Sequence, residues 1–200
     1  YKYDDELLDL VEAEIETLLF LQKSDKKKYP KPIQFSDGSY SKILIFDGEK
    51  RICRMLTFLN GEFLGDIKST KKLFQSFGIF LAKTDLKLQK YKNYAIMARQ
   101  WEWDIQYLDL NKKYINDIPN AKDRSIISFF LQQFEENVRS LAPKLRKQLI
   151  HNDANEWNVL SNKGEVSGII DFGDLTHTFL INELAIAITY ACFNKKNPLK

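Results

Sequence analysis

Two short apolar runs, each opening into a polar loop, constrain this chain more than any other feature. The first lies in "LIHNDANEWNVL" at 149–160: Leu149 and Ile150 lead into His151, Asn152, Asp153, Asn155 and Asn158, and Val159 and Leu160 close it. The second is "GIIDFGDL" at 168–175, which carries Asp171 and Asp174 on a glycine-containing turn. Between them, Asn162-Lys163-Gly164 is a tight-turn signal. Two strands joined by a tight hairpin have their outer ends side by side, so Asp153, Asn158 and Asp171 are expected to converge at one edge. Two carboxylates and an amide carbonyl are hard oxygen donors of the kind Mg2+ prefers. Phosphoryl transfer needs such a set: an Asp to orient and deprotonate the attacking hydroxyl, and an Asn and Asp to hold metal on the nucleotide phosphates. The competing reading is a polar turn held by Asx hydrogen bonds.

The rest of the chain predicts an α+β fold. "DDELLDLVEAEIETLLFLQKS" has apolar residues at helical spacing, at Leu7, Leu8, Val11, Ile15, Leu18, Leu19 and Leu21, and acidic residues in its first turn. "IQFSDGSYSKILIF" reads as a hairpin around Asp37-Gly38, and "EKRICRMLTFLNG" as a further strand. Ser69 and Thr70 can cap a helix that is apolar at Leu73, Phe74, Phe77, Phe80, Leu81 and Leu88. "QWEWDIQYLDLNKKYIND" reads as an aromatic-rich helix or turn-rich segment, with Trp101 and Trp103 in the core. A third helix is expected to bury Phe129, Phe130, Phe134, Val138 and Leu141, and a last apolar helix runs roughly over 180–193. The change in character near 60–68 divides the chain into a small sheet-plus-helix unit, 1–65, and a mainly helical unit, 66–200.

Composition narrows the function classes. A chain with 44% hydrophobic and 13% aromatic residues can pack a core. The net charge of +3 is spread among runs such as Lys26-Lys27-Lys28, with no basic stripe interleaved with aromatics, so no nucleic-acid partner is expected. No apolar run reaches the ~18 residues of a membrane span, and no signal peptide is visible. Cys53 and Cys192 stand far apart in apolar settings, as free buried thiols of a reducing cytoplasm would. No G-x-G-x-x-G or P-loop motif and no nucleophile elbow is present. His151 and His177 are the only histidines and lack a metal-ligand spacing, which leaves a transition-metal hydrolase a weak reading.

Taken together, "HNDANEWN" and "IDFGD" resemble the aminoglycoside phosphotransferase and choline kinase superfamily, whose signature is H-x-D-x-x-x-x-N followed by I-D-x-x-D. With "ELAIAITYA", the resemblance is closest to the kinase-like domain fused to class III pyridoxal-phosphate aminotransferases and to hydroxylysine kinase. It implies a two-lobed protein-kinase-like fold with a partial small lobe, and transfer of the γ-phosphoryl of ATP or GTP to a hydroxyl of a small molecule. Asp153 would be the catalytic base, and Asn158 and Asp171 would bind Mg2+. His151 and Asp174 would brace the loop. Glu14, in "EIETLLFL", would pair with a phosphate-binding Lys. Leu56, Thr57, Phe58 and Leu59 would be the hinge that receives the nucleotide base, and Asp104, in a "WD" segment, would border the acceptor pocket. The family pattern places a phosphate-covering hairpin and a Lys-bearing strand ahead of the Glu14 helix and further helices beyond Lys200, so the 200 residues read as a piece of such a domain. The alternative is a kinase-like module that binds nucleotide or a partner without chemistry, as part of a larger, for instance aminotransferase, polypeptide with fused domains.

Overall fold

The computed structural model describes residues 1–193, so the last residues of the unit expected over 66–200 lie outside the described residues. Helix α1, Asp5–Gln22, starts where Asp4 accepts a hydrogen bond from Leu7 N at 3.1 Å. Its buried stripe is Val11, Ala13, Ile15, Thr17, Leu18 and Leu21, and the stripe includes one acid, Glu14. Strands β1 (Pro32–Ile33), β2 (Ser41–Phe46) and β3 (Glu49–Leu56) form an antiparallel sheet in the order β1-β3-β2. Residues 1–3 run along the same side of β3 as β1, with Tyr3 N donating to Lys50 O at 3.0 Å and Ile52 N to Tyr1 O at 2.8 Å.

The hairpin is not where the first Asp-Gly signal predicts it. β2 and β3 pair across Asp47 (φ 51) and Gly48 (φ 77), the two positive-φ positions that a two-residue turn matched to strand twist requires. Around Asp37-Gly38 the chain does turn, with Phe35 N donating to Ser39 O at 2.8 Å. The runs on either side of that turn do not pair with each other, because Ile33 is opposite Met55 and Ser41 opposite Arg54. β3 therefore takes the centre of the sheet.

Helix α2, Lys71–Leu88, begins at Thr70, whose hydroxyl accepts from Leu73 N at 3.1 Å. It buries Leu73, Phe77, Phe80, Leu81 and Leu88. Strands β4 (Glu62–Phe63), β6 (Val159–Asn162) and β7 (Glu165–Ile169) form a second sheet in that order. The turn between β6 and β7 holds Lys163 (φ 53) and Gly164 (φ 75), at the predicted signal. Strands β5 (Lys147–Ile150) and β8 (Thr176–Phe179) pair separately. Helices α3 (Tyr94–Ala98), α4 (Ala121–Asn137) and α5 (Ile181–Cys192), with 3-10 segments at Ile105–Asp117 and Arg139–Lys144, complete the described chain.

One core joins Leu18 and Leu21 of α1 to Tyr29, α2, Leu149, Val159, Ile169, Phe172 and Leu175. A smaller cluster sets Val11 and Ile15 of α1 against Ile52 of β3. α1 thus ties the first sheet to the strands that carry the two polar loops.

Two expectations for the core fail. Of the residues assigned to the buried side of the third helix, only Phe134 is buried; Phe129 and Phe130 are 54% and 65% exposed. α4 packs chiefly on the two 3-10 segments beside it, so its apolar spacing finds no sheet to cover. Trp103 is 76% exposed, and Trp101 is half-buried against the Arg99 guanidinium, 4.1 Å from its ring. Among the described residues no helix is long and apolar enough to cross a membrane.

Candidate active site

β5 delivers the chain into the first loop through Ile150, and His151 follows fully buried. Asp153 N donates to His151 Nδ1 at 3.2 Å, so the ring proton sits on Nε2, which donates to Ile170 O at 3.0 Å. Burial pushes the imidazole down to about 4, and the ring edge packs on Phe172 at 4.7 Å between centroids. A neutral imidazole with both nitrogens engaged spans the two motifs and has no lone pair left for a metal. That removes the basis of a two-histidine metal site.

Asn152 adopts φ 68, which swings the backbone so that its N–H reaches Glu183 Oε2 of α5 at 3.0 Å. Asp153 comes next. Its Oδ1 accepts from Asn155 Nδ2 at 2.9 Å and its Oδ2 from Asn158 Nδ2 at 2.7 Å. Asn158 Nδ2 also reaches Asp153 O at 2.9 Å, and Asn155 Oδ1 accepts from Trp157 N at 2.7 Å. The Asx turns of the competing reading are therefore present, and they fix the Asp153 carboxylate in one orientation. Partial burial raises the Asp153 carboxyl above the usual range, the charges of Asp174 and Asp171 add to this, and the two amide donors oppose it. A carboxylate of raised proton affinity suits a general base.

The second motif lies against the first. Ile170 N donates to Asn158 O at 2.9 Å, and Ile169 is opposite Val159. Asp171, exposed and at φ 59, caps its own turn, with Oδ1 accepting from Gly173 N at 3.3 Å. Asp174 Oδ1 accepts from Trp101 Nε1 at 3.2 Å. Burial raises the Asp174 carboxyl, against the pull of Arg99. Arg99 donates to Gly173 O at 2.8 Å and Leu175 O at 3.0 Å, holding the turn from outside.

The donor set fits a divalent cation. Asn158 uses only its NH2 on Asp153, and Asp171 uses one oxygen on Gly173, so among the described residues Asn158 Oδ1 and Asp171 Oδ2 are left to bind. Both are hard oxygens of the kind Mg2+ takes. No group of three or more His, Cys, Asp or Glu able to hold a metal occurs among the described residues, so an ion here would complete its shell from water and phosphate.

Two predicted roles, those of Glu14 and Asp104, need correction. Glu14 is buried and meets Arg54 Nη1 of β3 at 2.5 Å, not a lysine, because α1 lies across the face of β3 from which Arg54 projects. Burial pushes the Glu14 carboxyl up, and the guanidinium opposes it. Asp104 does not border an open pocket. It is fully buried, and its carboxylate accepts from Gln106 N (3.0 Å) and Nε2 (2.5 Å), Thr176 Oγ1 (3.1 Å) and Thr178 Oγ1 (2.6 Å). With those four donors satisfied, it anchors the 3-10 segment to β8. Leu56, Thr57, Phe58 and Leu59 connect β3 to β4; Leu56 pairs with Pro32, Thr57 N donates to Lys31 O at 2.9 Å, and Phe58 is exposed.

Sequence reasoning missed Glu183, Arg99 and Arg54. Each acts across a long span of sequence, and only the acid inside the otherwise apolar "NELAIA" offered a signal.

A two-carboxylate turn set against an H-x-D-x-x-x-x-N loop, beside a small antiparallel sheet with one helix, is a kinase-like α+β arrangement. The Phosphotransferase enzyme family matches residues 2–199, and the chain belongs to that family. It is similar to hydroxylysine kinase of Mus musculus, 26% identical over 207 residues that cover 96% of this chain and 55% of that protein. The chain thus spans about half the length of the curated relatives it matches. Among solved structures it is similar to a microcompartment-associated aminopropanol kinase, with TM-score 0.72 and 18% identity over 93% of this chain and 59% of that one. An amicoumacin kinase in complex with AMP-PNP and Ca2+ gives TM-score 0.67 and 16% identity over 92% of this chain and 54% of that one.

Proposed function

We propose that the 151–158 loop and the 170–174 turn are the phosphoryl-transfer centre of a small-molecule kinase that uses ATP or GTP. One observation carries this reading. Asp153 is held by two amide donors, while Asn158 and Asp171 each keep an oxygen free beside it. Asp153 orients the acceptor hydroxyl and takes its proton as the new O–P bond forms. The bond from the γ-phosphorus to the β-phosphate oxygen breaks, and a nucleoside diphosphate leaves. Bound at Asn158 and Asp171, Mg2+ would neutralise charge on the nucleotide phosphates. His151 and Asp174 keep the two loops in place. Leu56 to Leu59 receive the nucleotide base, as the hinge at the end of a small lobe over 1–65.

The acceptor is inferred to carry both a hydroxyl and an amine, because hydroxylysine kinase and aminopropanol kinase, by their names, act on such molecules. The protein is proposed to work in the cytoplasm. Asp153→Asn keeps one acceptor oxygen and removes the base. Turnover should fall about 10²- to 10⁴-fold with nucleotide affinity retained. An Asn variant with full rate would remove Asp153 from the mechanism.

Glu14 favours a second reading. One oxygen of its carboxylate meets Arg54 while the other has no hydrogen-bond partner among the described residues, and a kinase-like domain whose helix acid pairs with an arginine can bind nucleotide without chemistry. Mg2+-dependent binding with no turnover on any hydroxy-amine would select that reading, with the domain serving as part of a longer polypeptide.

A further inference from the structure

A chamber of about 660 Å³, which Asp153 does not line, opens between α2, the 144–148 segment and the start of α5. Its walls are apolar: Leu81, Ala82 and Leu86 from α2, Leu145, and Ile181 and Leu184 from α5. Two acids break that surface, Asp85 and Glu183. The volume is in the ~300–1,000 Å³ range of small-ligand sites.

Glu183 is 2% exposed. Its Oε2 accepts from Asn152 N, the His151 backbone N–H also bears on the carboxylate, and its Oε1 meets no donor at hydrogen-bond geometry among the described residues. A buried carboxylate oxygen with no donor is costly unless something fills the site. Burial pushes Glu183 up to about 8, with the Asp85 charge adding to the shift, and burial alone pushes Asp85 up to about 7. Two carboxyls on one chamber wall each hold a proton more tightly than an exposed acid, and a cation with several N–H donors can replace it. The charged groups facing the pair are the exposed Lys144 and Arg146 at the mouth and Asp153 across the loop.

We propose that this chamber binds a primary ammonium group carried on a short apolar chain, the ammonium between Asp85 and Glu183 and the chain against the leucines. A primary ammonium offers three donors, enough for the free Glu183 oxygen and for Asp85. An alcohol of the same length fills the same volume but cannot balance the carboxylates. Because Glu183 also holds Asn152 N, occupancy is felt in the loop that carries Asp153. This inference does not depend on the proposed reaction. It concerns a separate chamber and is read by binding.

The test is titration of the full chain with n-hexylamine and with n-hexanol near neutral pH, followed by calorimetry and by backbone amide spectra. Hexylamine should bind saturably and shift the Asn152 amide, with hexanol about ten- to hundred-fold weaker. Asp85→Asn should weaken amine binding by a similar factor with the amide spectrum otherwise preserved. Gly78 lies on the chamber wall with no atom within 4 Å of its added Cβ, so Gly78→Phe should block entry. Hexanol binding as tightly as hexylamine would overturn the proposal, as would amine binding that survives both Asp85→Asn and Gly78→Phe. Amine binding lost in Asp153→Asn but kept in Gly78→Phe would place the amine at the acceptor site and equally overturn it. So would no binding at all.

Discussion

Replacing Asp104 tests whether this acid supports the fold or the substrate. The carboxylate is fully buried and takes four donors, two from Gln106 and one each from Thr176 and Thr178. The two threonines are themselves fully buried in β8. In Asp104→Ala both hydroxyls lose their acceptor in a dry setting. Each unsatisfied buried donor costs about 1–3 kcal/mol, so the loss should be roughly 3–5 kcal/mol. Asp104→Asn keeps one acceptor oxygen but turns an NH2 toward Gln106 Nε2 or Thr176, and should cost roughly 1–2 kcal/mol. Urea unfolding, read at an unchanged m-value, gives both numbers. The order wild type, Asn variant, Ala variant is the expected one. The reasoning is refuted if Asp104→Ala unfolds within about 0.5 kcal/mol of wild type. A raised KM for the acceptor as the sole effect would restore Asp104 to the acceptor pocket.

Arg54→Ala leaves Glu14 buried without its partner and should cost about 3–5 kcal/mol, whereas the paired replacement Glu14→Gln with Arg54→Met should cost less; chemical denaturation of the three proteins compares them. Stability should also be greatest in acid and decline toward alkaline pH. The His151 pKa is lowered to about 4, so its contribution is complete above the unfolded value of about 6.5 and is lost as pH falls toward 4. Asp85 and Glu183 are raised to about 7 and 8, so their contribution is complete below the unfolded carboxyl values of about 4 and is lost as pH rises from there to the folded values. Two carboxyls outweigh one imidazole between about pH 4 and 6.5, so melting temperature should fall steadily from about pH 4.5 to pH 8, and Asp85→Asn should lessen that fall. A melting temperature that climbs from pH 6 to pH 8.5 would contradict the assignment of these groups.

What was legible in the sequence was local. α1, α2 and α5 follow from apolar spacing and from caps such as Thr70. The β6–β7 turn forms at Gly164, and it brings residue 158 against residue 170. What stayed hidden depends on contacts between distant segments. Two Asp-Gly turns look alike in sequence, and only the pairing of Ile33 with Met55 decides which closes a hairpin. Helical spacing in α4 predicts an apolar face but not what that face meets, so Phe129 and Phe130 were placed inside when they lie outside. Asp104 reads as a polar residue beside two tryptophans, and its threonine partners are more than seventy residues away. For Glu14, the helix position was legible, but its partner depends on how α1 crosses β3.

Calorimetric titration with ATP, in the presence and absence of Mg2+, on the wild-type protein and on Asp171→Ala tests the central claim most directly. The account predicts binding that requires Mg2+ in the wild type and is lost in Asp171→Ala, since Asp171 supplies one of the two free oxygens. Binding that is equal with and without Mg2+, or unchanged in Asp171→Ala, would contradict it.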